Sequence, residues 1–332
     1  MFTMEGNTMG TELFTPEVVH NVINAGKLLI SSPAVDGVVT ALMTTLFLRK
    51  GEQSKTVETL KVKQFEKVLD ELLETGRLSY VELYRCRNFL KIAKCADNMI
   101  MNQKNDQEQK EDYEEDEINF DWIMRFFDAV GNISNEDLQL LWGKVLANEI
   151  KKPKSCSLRT LDIIRNMSPE EAKTFSVLCR YVMQSGNTYY LDSAGFFCEE
   201  DGHQECRNYI KHKGLSYEEH IIPLLEAGAL SQDHDLALYM NKNIKLEIYN
   251  DEICGLIMNF EEDPVLFRRD IYLLTASGKE LYQIIHNSED FKTDRDYALL
   301  CLRDMKNENP VFYVGAFEQS VKGQHRDLLE EA

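Results

Sequence analysis

Apolar positions along the chain recur mostly at helical spacing. Between 55 and 104, Val57, Leu60, Phe65, Val68, Leu69, Leu72 and Leu73 return every three or four positions, which predicts an amphipathic helix. Gly76 ends it. Ser79, with Glu82 three positions on, has the capping-box pattern and opens a second helix whose apolar face includes Leu83, Cys86, Leu90 and Ala93. Residues 55–105 are thus expected to form a helical hairpin, with Lys61, Lys63, Lys67 and Glu71 on its wetted face. The pattern is strongest over 118–167. Ile118, Trp122, Phe126, Phe127 and Val130 make one stripe, Ser134 is placed to cap the next helix, and EDLQLLWGKVLANEI repeats apolar residues at 138, 141, 142, 145, 146 and 150. A short third helix follows with Leu158, Leu161 and Ile164 inward. Trp122 and Trp142 sit on these stripes, where large rings serve as core anchors.

The carboxy-terminal half mixes periods. Ser168-Pro169-Glu170-Glu171 starts a helix expected to hold Phe175, Leu178, Val182 and Met183, and Ser216 with Glu219 opens another that Gly228 stops. KLEIYN and CGLIMNF read as strands around Asp251 and Glu252, RRDIYLL as a third ending at Thr275, and SGKELYQII as a helix. That succession over 168–290 resembles a winged-helix domain with a small antiparallel sheet. Beyond it, 291–332 holds a helix, DYALLCLRDMK, a short strand in which Phe312, Tyr313 and Val314 can add an edge to the sheet, and an acidic tail. The expected fold is mainly α, α+β overall, with an N-terminal helical hairpin, a central helical bundle and the winged-helix-like domain.

Residues 1–54 contain the most apolar stretch, 28–48, which carries Pro33, Asp36 and five hydroxyl residues. These make insertion in a bilayer costly, so the leading reading is a buried or self-associating helix; the competing one is a membrane-active segment. Between the hairpin and the bundle, 106–117 has eight acidic residues against one lysine, an exposed linker with little to bury.

Charge narrows the partners. The chain carries a formal net charge of −19, and within 168–290 there are 22 acidic and 10 basic side chains, a net of −12. A groove-reading domain needs clustered Lys and Arg, so nucleic acid is disfavoured and a protein partner or self-association favoured. The eight cysteines are scattered through patterned segments, which suits a reducing cytoplasm, and the amino terminus lacks the layout of a secretory signal.

Cys198, His203, Cys206 and His212 are the residues with metal-ligand chemistry, since thiolate and imidazole suit zinc. Their spacing lacks the short paired knuckle that grips the ion, and the expectation is a solvated loop without a metal. The chain has no phosphate loop, dinucleotide glycine fingerprint, nucleophile elbow or His-Glu-x-x-His pair. No cofactor and no enzymatic activity are expected.

The stretch DWIMRFFDAVGNISNEDLQLLWGKVLANEIKKPKSCSLRTLDIIRNMSPEEAKTFSVLC, residues 121–179, resembles the bacterial and phage family called domain of unknown function 2806. The resemblance rests on the Asp-Trp start, the Leu-Trp-Gly-Lys-Val-Leu-Ala-Asn-Glu-Ile helix and the Ser-Leu-Arg-Thr-Leu segment, in that order. It departs from the family at Lys154-Ser155-Cys156, where a glycine-containing turn is expected after Pro153. The family implies no catalytic residues. Its helix motif is similar to one in proteins linked to abortive infection, which implies a role in phage defence. The polar members of the motif, Asn148, Glu149 and Arg159, are expected to act structurally, through a helix-end hydrogen bond and a charge pair at the Pro153 turn. The expected function is that of a non-enzymatic interaction or regulatory protein, with a membrane-perturbing effector or a nucleic-acid-binding regulator as alternatives.

Overall fold

A computed structural model describes residues 67, 69–71, 73–76, 78–104, 120–196, 203–288, 291–319 and 327–329. The apolar stretch 28–48, the acidic linker 106–117 and Cys198 lie outside the described residues. The chain divides into two compact units, Met1–Lys154 and Ser155–Ala332.

In the first unit, Gly76 adopts a left-handed φ of 67° at the predicted stop. Ser79 and Glu82 then make the expected reciprocal cap, with Ser79 N–H donating to Glu82 Oε2 at 2.8 Å and Glu82 N–H to Ser79 Oγ at 3.3 Å. The helix they open, α1 (Tyr80–Lys104), packs on α3 (Glu136–Lys151), and α2 (Phe120–Val130) lies beside it. Gly143 makes the α1–α3 approach possible, since a Cβ there would stand 2.8 Å from Cys95 Cβ. The core is aromatic. Phe126 stacks on Trp122 at 5.1 Å and meets Trp142 edge-on at 5.4 Å, while Phe89 touches both Phe126 and Phe127. The cap of α3 is Asn135, whose side chain accepts from Leu138 N–H, one residue beyond the serine the sequence suggests.

The second unit begins with α4 (Leu158–Asn166) and α5 (Pro169–Leu178), the latter started by the predicted Ser168–Glu171 box. A seven-stranded sheet follows, in the order β3-β6-β2-β1-β4-β5-β7, with every neighbouring pair antiparallel. Its strands are β1 (Val182–Ser185), β2 (Thr188–Asp192), β3 (Leu230–Met240), β4 (Lys245–Tyr249), β5 (Ile253–Asn259), β6 (Val265–Leu274) and β7 (Phe312–Glu318). Its helices are α6 (Gln204–His212), α7 (Ile222–Glu226, entered through a π turn at Tyr217–Ile221), α8 (Ala276–His286) and α9 (Arg295–Glu308).

Three expectations are corrected here. The sheet is larger than a small wing sheet. The helix expected to hold Val182 and Met183 ends at Leu178, and both residues belong to β1, because Gly186, at φ 56°, and Asn187 close a two-residue hairpin onto the aromatic run of β2. The expected solvated loop around 203–212 is instead helix α6, which buries Cys206 and Ile210 one turn apart. The strands expected at KLEIYN, CGLIMNF and RRDIYLL are β4, β5 and β6, and the edge strand expected from Phe312 is β7, paired to β5. Together the described residues form an α+β chain. Among them, no helix is long and apolar enough to cross a membrane.

Candidate functional site: a buried ion-pair clasp

Strand β6 alternates, placing Phe267, Arg269 and Ile271 on its inward face. An arginine between two core positions needs partners, because a buried charge left alone is severely destabilising. Arg269 is 3 % exposed and finds three carboxylates. Its Nε and Nη2 donate to the two oxygens of Asp192 at the end of β2, both at 2.9 Å, the bidentate fork of a strong pair. Nη2 also reaches Asp304 Oδ2 at 2.6 Å, and Nη1 reaches Glu308 Oε2 at 2.5 Å, both on α9. Burial works against the charged guanidinium, but the Asp192 carboxylate, joined by Asp304, outweighs it and raises the Arg269 pKa.

Helix α9 can reach this face of the sheet because Gly255 has no side chain; a Cβ there would meet Leu302 Cδ2 at 2.3 Å. His203, at the start of α6 with φ 60°, completes the cluster. Its Nδ1 lies 2.6 Å from Asp304 Oδ2 and its Nε2 3.0 Å from Glu308 Oε1, so both ring nitrogens face carboxylates. His203, Asp304 and Glu308 supply one nitrogen and two oxygens, a donor set a divalent cation could use, with the atoms within 4.8 Å of one another. As arranged, those atoms are committed to each other and to Arg269. The cluster therefore acts as an ionic clasp joining β2, β6, α6 and α9.

Of the four residues singled out for zinc, the three described ones, His203, Cys206 and His212, do not converge. His203 enters the clasp, and Cys206 is buried against Cys301 of α9, whose thiol pKa is driven up by burial first and by the Cys206 contact second. His212 is exposed at the end of α6. In the first unit, Trp122 and Trp142 are buried, and Glu149, 1 % exposed, accepts the Lys154 N–H at 2.7 Å beyond the end of α3. The Asn148 carbonyl accepts the Lys152 N–H at 2.8 Å, and Arg159 is exposed on α4. Asp192, Arg269, Asp304 and Glu308 belong to no motif in the sequence. The available signal was Arg269 itself, a charge at an inward strand position.

A family model described as protein of unknown function, DUF2806, matches residues 83–297. The chain belongs to the DUF2806 family. The DUF2806 match contains Asp192, His203 and Arg269 and stops short of Asp304 and Glu308, so the clasp ties the matched region to the part of α9 that runs beyond it. The chain matches no curated protein and no solved structure.

Proposed function

We propose that this DUF2806 protein is a non-enzymatic interaction protein, and that one end of its sheet meets a protein partner. The observation that carries the reading is a group of exposed apolar side chains at the turns linking β3 to β4 and β5 to β6. Tyr239 is 70 % exposed, Phe260 53 %, Ile244 43 % and Leu266 42 %. Tyr239 and Leu266 are cross-strand partners, and a hydrogen bond from Asn243 N–H to the Asn259 carbonyl brings the neighbours Ile244 and Phe260 to the same end. Clustered exposed apolar groups mark contact surfaces, whereas scattered ones do not.

A winged-helix-like reading of this unit is supported by connectivity. The chain runs β2, α6, α7, β3 and, after the β4–β5 hairpin, β6, while the sheet order there is β3-β6-β2. On that reading the apolar end is the wing. The helix that would enter a DNA groove, with its π turn, exposes Glu218, Glu219 and Glu226, which repel phosphate. Membership in a bacterial and phage family adds the further proposal that the partner belongs to phage defence.

The test is affinity purification from the native host with the chain and with a Tyr239→Asp, Phe260→Asp variant of unchanged circular dichroism. A stoichiometric protein partner lost by the variant is expected. Equal recovery with both chains, or duplex DNA binding that weakens with salt, would overturn the reading.

A further inference from the structure

The outer edge of β7 carries a seat built for an aspartate. Strand β7 ends the sheet, with β5 on its other side, and both polar backbone atoms of Ala316 turn to residues 327–329. Ala316 N–H donates to Asp327 Oδ1 at 3.0 Å, and the Ala316 carbonyl accepts the Leu328 N–H at 2.8 Å. The Tyr313 hydroxyl donates to Asp327 Oδ2 at 2.7 Å. The Leu329 N–H closes the turn onto Asp327 Oδ1 at 3.0 Å. Gly315 leaves the space: a Cβ there would stand 2.9 Å from Asp327 Oδ2 and 2.5 Å from the Tyr313 hydroxyl. Leu329 is 8 % exposed, while Leu328 stays half-exposed.

These contacts read two side chains and one backbone pair. The carboxylate is held by charge-assisted bonds, one backbone hydrogen bond caps the open sheet edge at Ala316, and the third residue is buried. The middle side chain is not read. We propose that the β7 edge is a recognition site for short acidic peptides of the pattern aspartate, any residue, leucine, closed in cis by the chain's own Asp327–Leu329. A partner protein presenting that pattern would displace the tail. The hydrogen bonds that define the seat involve no residue of the apolar end, although Phe260 of that end lies against the Tyr313 ring at 6.2 Å, and the inference does not depend on the partner reading above.

The experiment uses a fluorescent peptide with the sequence of residues 320–332 and the full chain in two forms, unaltered and with Asp327→Ala plus Leu329→Ala, which vacate the seat. The vacated chain should bind the peptide about tenfold more tightly than the unaltered chain, and a peptide carrying Asn for Asp327 should lose about tenfold in affinity. Adding Gly315→Val to the vacated chain should abolish binding. Should that substitution prevent folding, Tyr313→Phe, which removes one hydroxyl, should weaken binding about tenfold instead. A folded, vacated chain that ignores the peptide, or binds the Asn form equally well, overturns the proposal and leaves the tail as a cover for a sheet edge.

Discussion

Replacing Arg269 with methionine would test whether the clasp holds the second unit together. Methionine keeps most of the side-chain length and removes the guanidinium, leaving Asp192 fully buried with its charge and only the Ala194 N–H, at 2.9 Å, as a partner. Breaking a buried pair in this way costs about 3–5 kcal/mol, because the surviving charge has no water. Glu308, 38 % exposed, adds little to that figure, since solvent screens it. For a unit of this size the loss corresponds to a fall in melting temperature of about 6–20 °C. Thermal unfolding by far-ultraviolet circular dichroism gives the number, and amide exchange on β2 and β6 gives its location. Adding Asp192→Leu should recover much of the loss, because a fully apolar replacement no longer strands a charge. A penalty below about 1 kcal/mol, the size of a surface pair, would refute the argument.

Three further outcomes follow from specific contacts. Gly278→Ala would drive a Cβ to 2.0 Å from the Ala229 carbonyl oxygen, a backbone clash that should cost about 1–3 kcal/mol in chemical denaturation. His286 Nε2–H donates to Asp251 Oδ1 at 2.7 Å, and that hydrogen bond raises the imidazole pKa against the opposing effect of burial. A raised folded value means the stabilisation is complete below the unfolded pKa of about 6.5 and disappears as pH climbs through the folded one. The melting temperature of the natural chain should therefore fall relative to Asp251→Asn as pH rises above about 6.5, and parallel profiles would contradict this. A chain ended after Tyr297, where the family match stops, should fail to give a soluble second unit, because it lacks buried Cys301, Leu302, Met305, Phe312 and Val314.

Where local chemistry decides, the sequence was legible. The Ser79 and Ser168 caps, the Gly76 stop and strands β4, β5 and β6 each rest on residues within one short segment. The misses have physical causes. Val182 and Met183 extend the helical spacing of Phe175 and Leu178, so periodicity could not separate β1 from α5; the Gly186-Asn187 turn held the deciding information. Strand β3 was invisible because it lies at a sheet edge, where Asp235 and the exposed Leu238 and Tyr239 break any alternation. The clasp assembles across 77 residues from Asp192 to Arg269 and 35 from Arg269 to Asp304, so no spacing rule reaches it. The metal-ligand chemistry of His203 points to neighbours on its own short segment, whereas its partners lie on α9.

The clasp and the β7 seat share a logic suited to so acidic a chain. With 56 acidic residues against 37 lysines and arginines, carboxylates are abundant and cations scarce, so a buried cation becomes a point at which several segments can be gathered. Arg269 gathers β2 and α9 in this way, and His203 adds α6. The seat solves the same problem without a cation, holding Asp327 with a phenol and backbone N–H groups. Guanidinium pairing at a buried site is a lasting bond, because opening it exposes charge to a medium that cannot solvate it. Neutral donors at a sheet edge release a carboxylate to water at much lower cost. That difference makes the clasp the fixed joint of the second unit and the tail its exchangeable one.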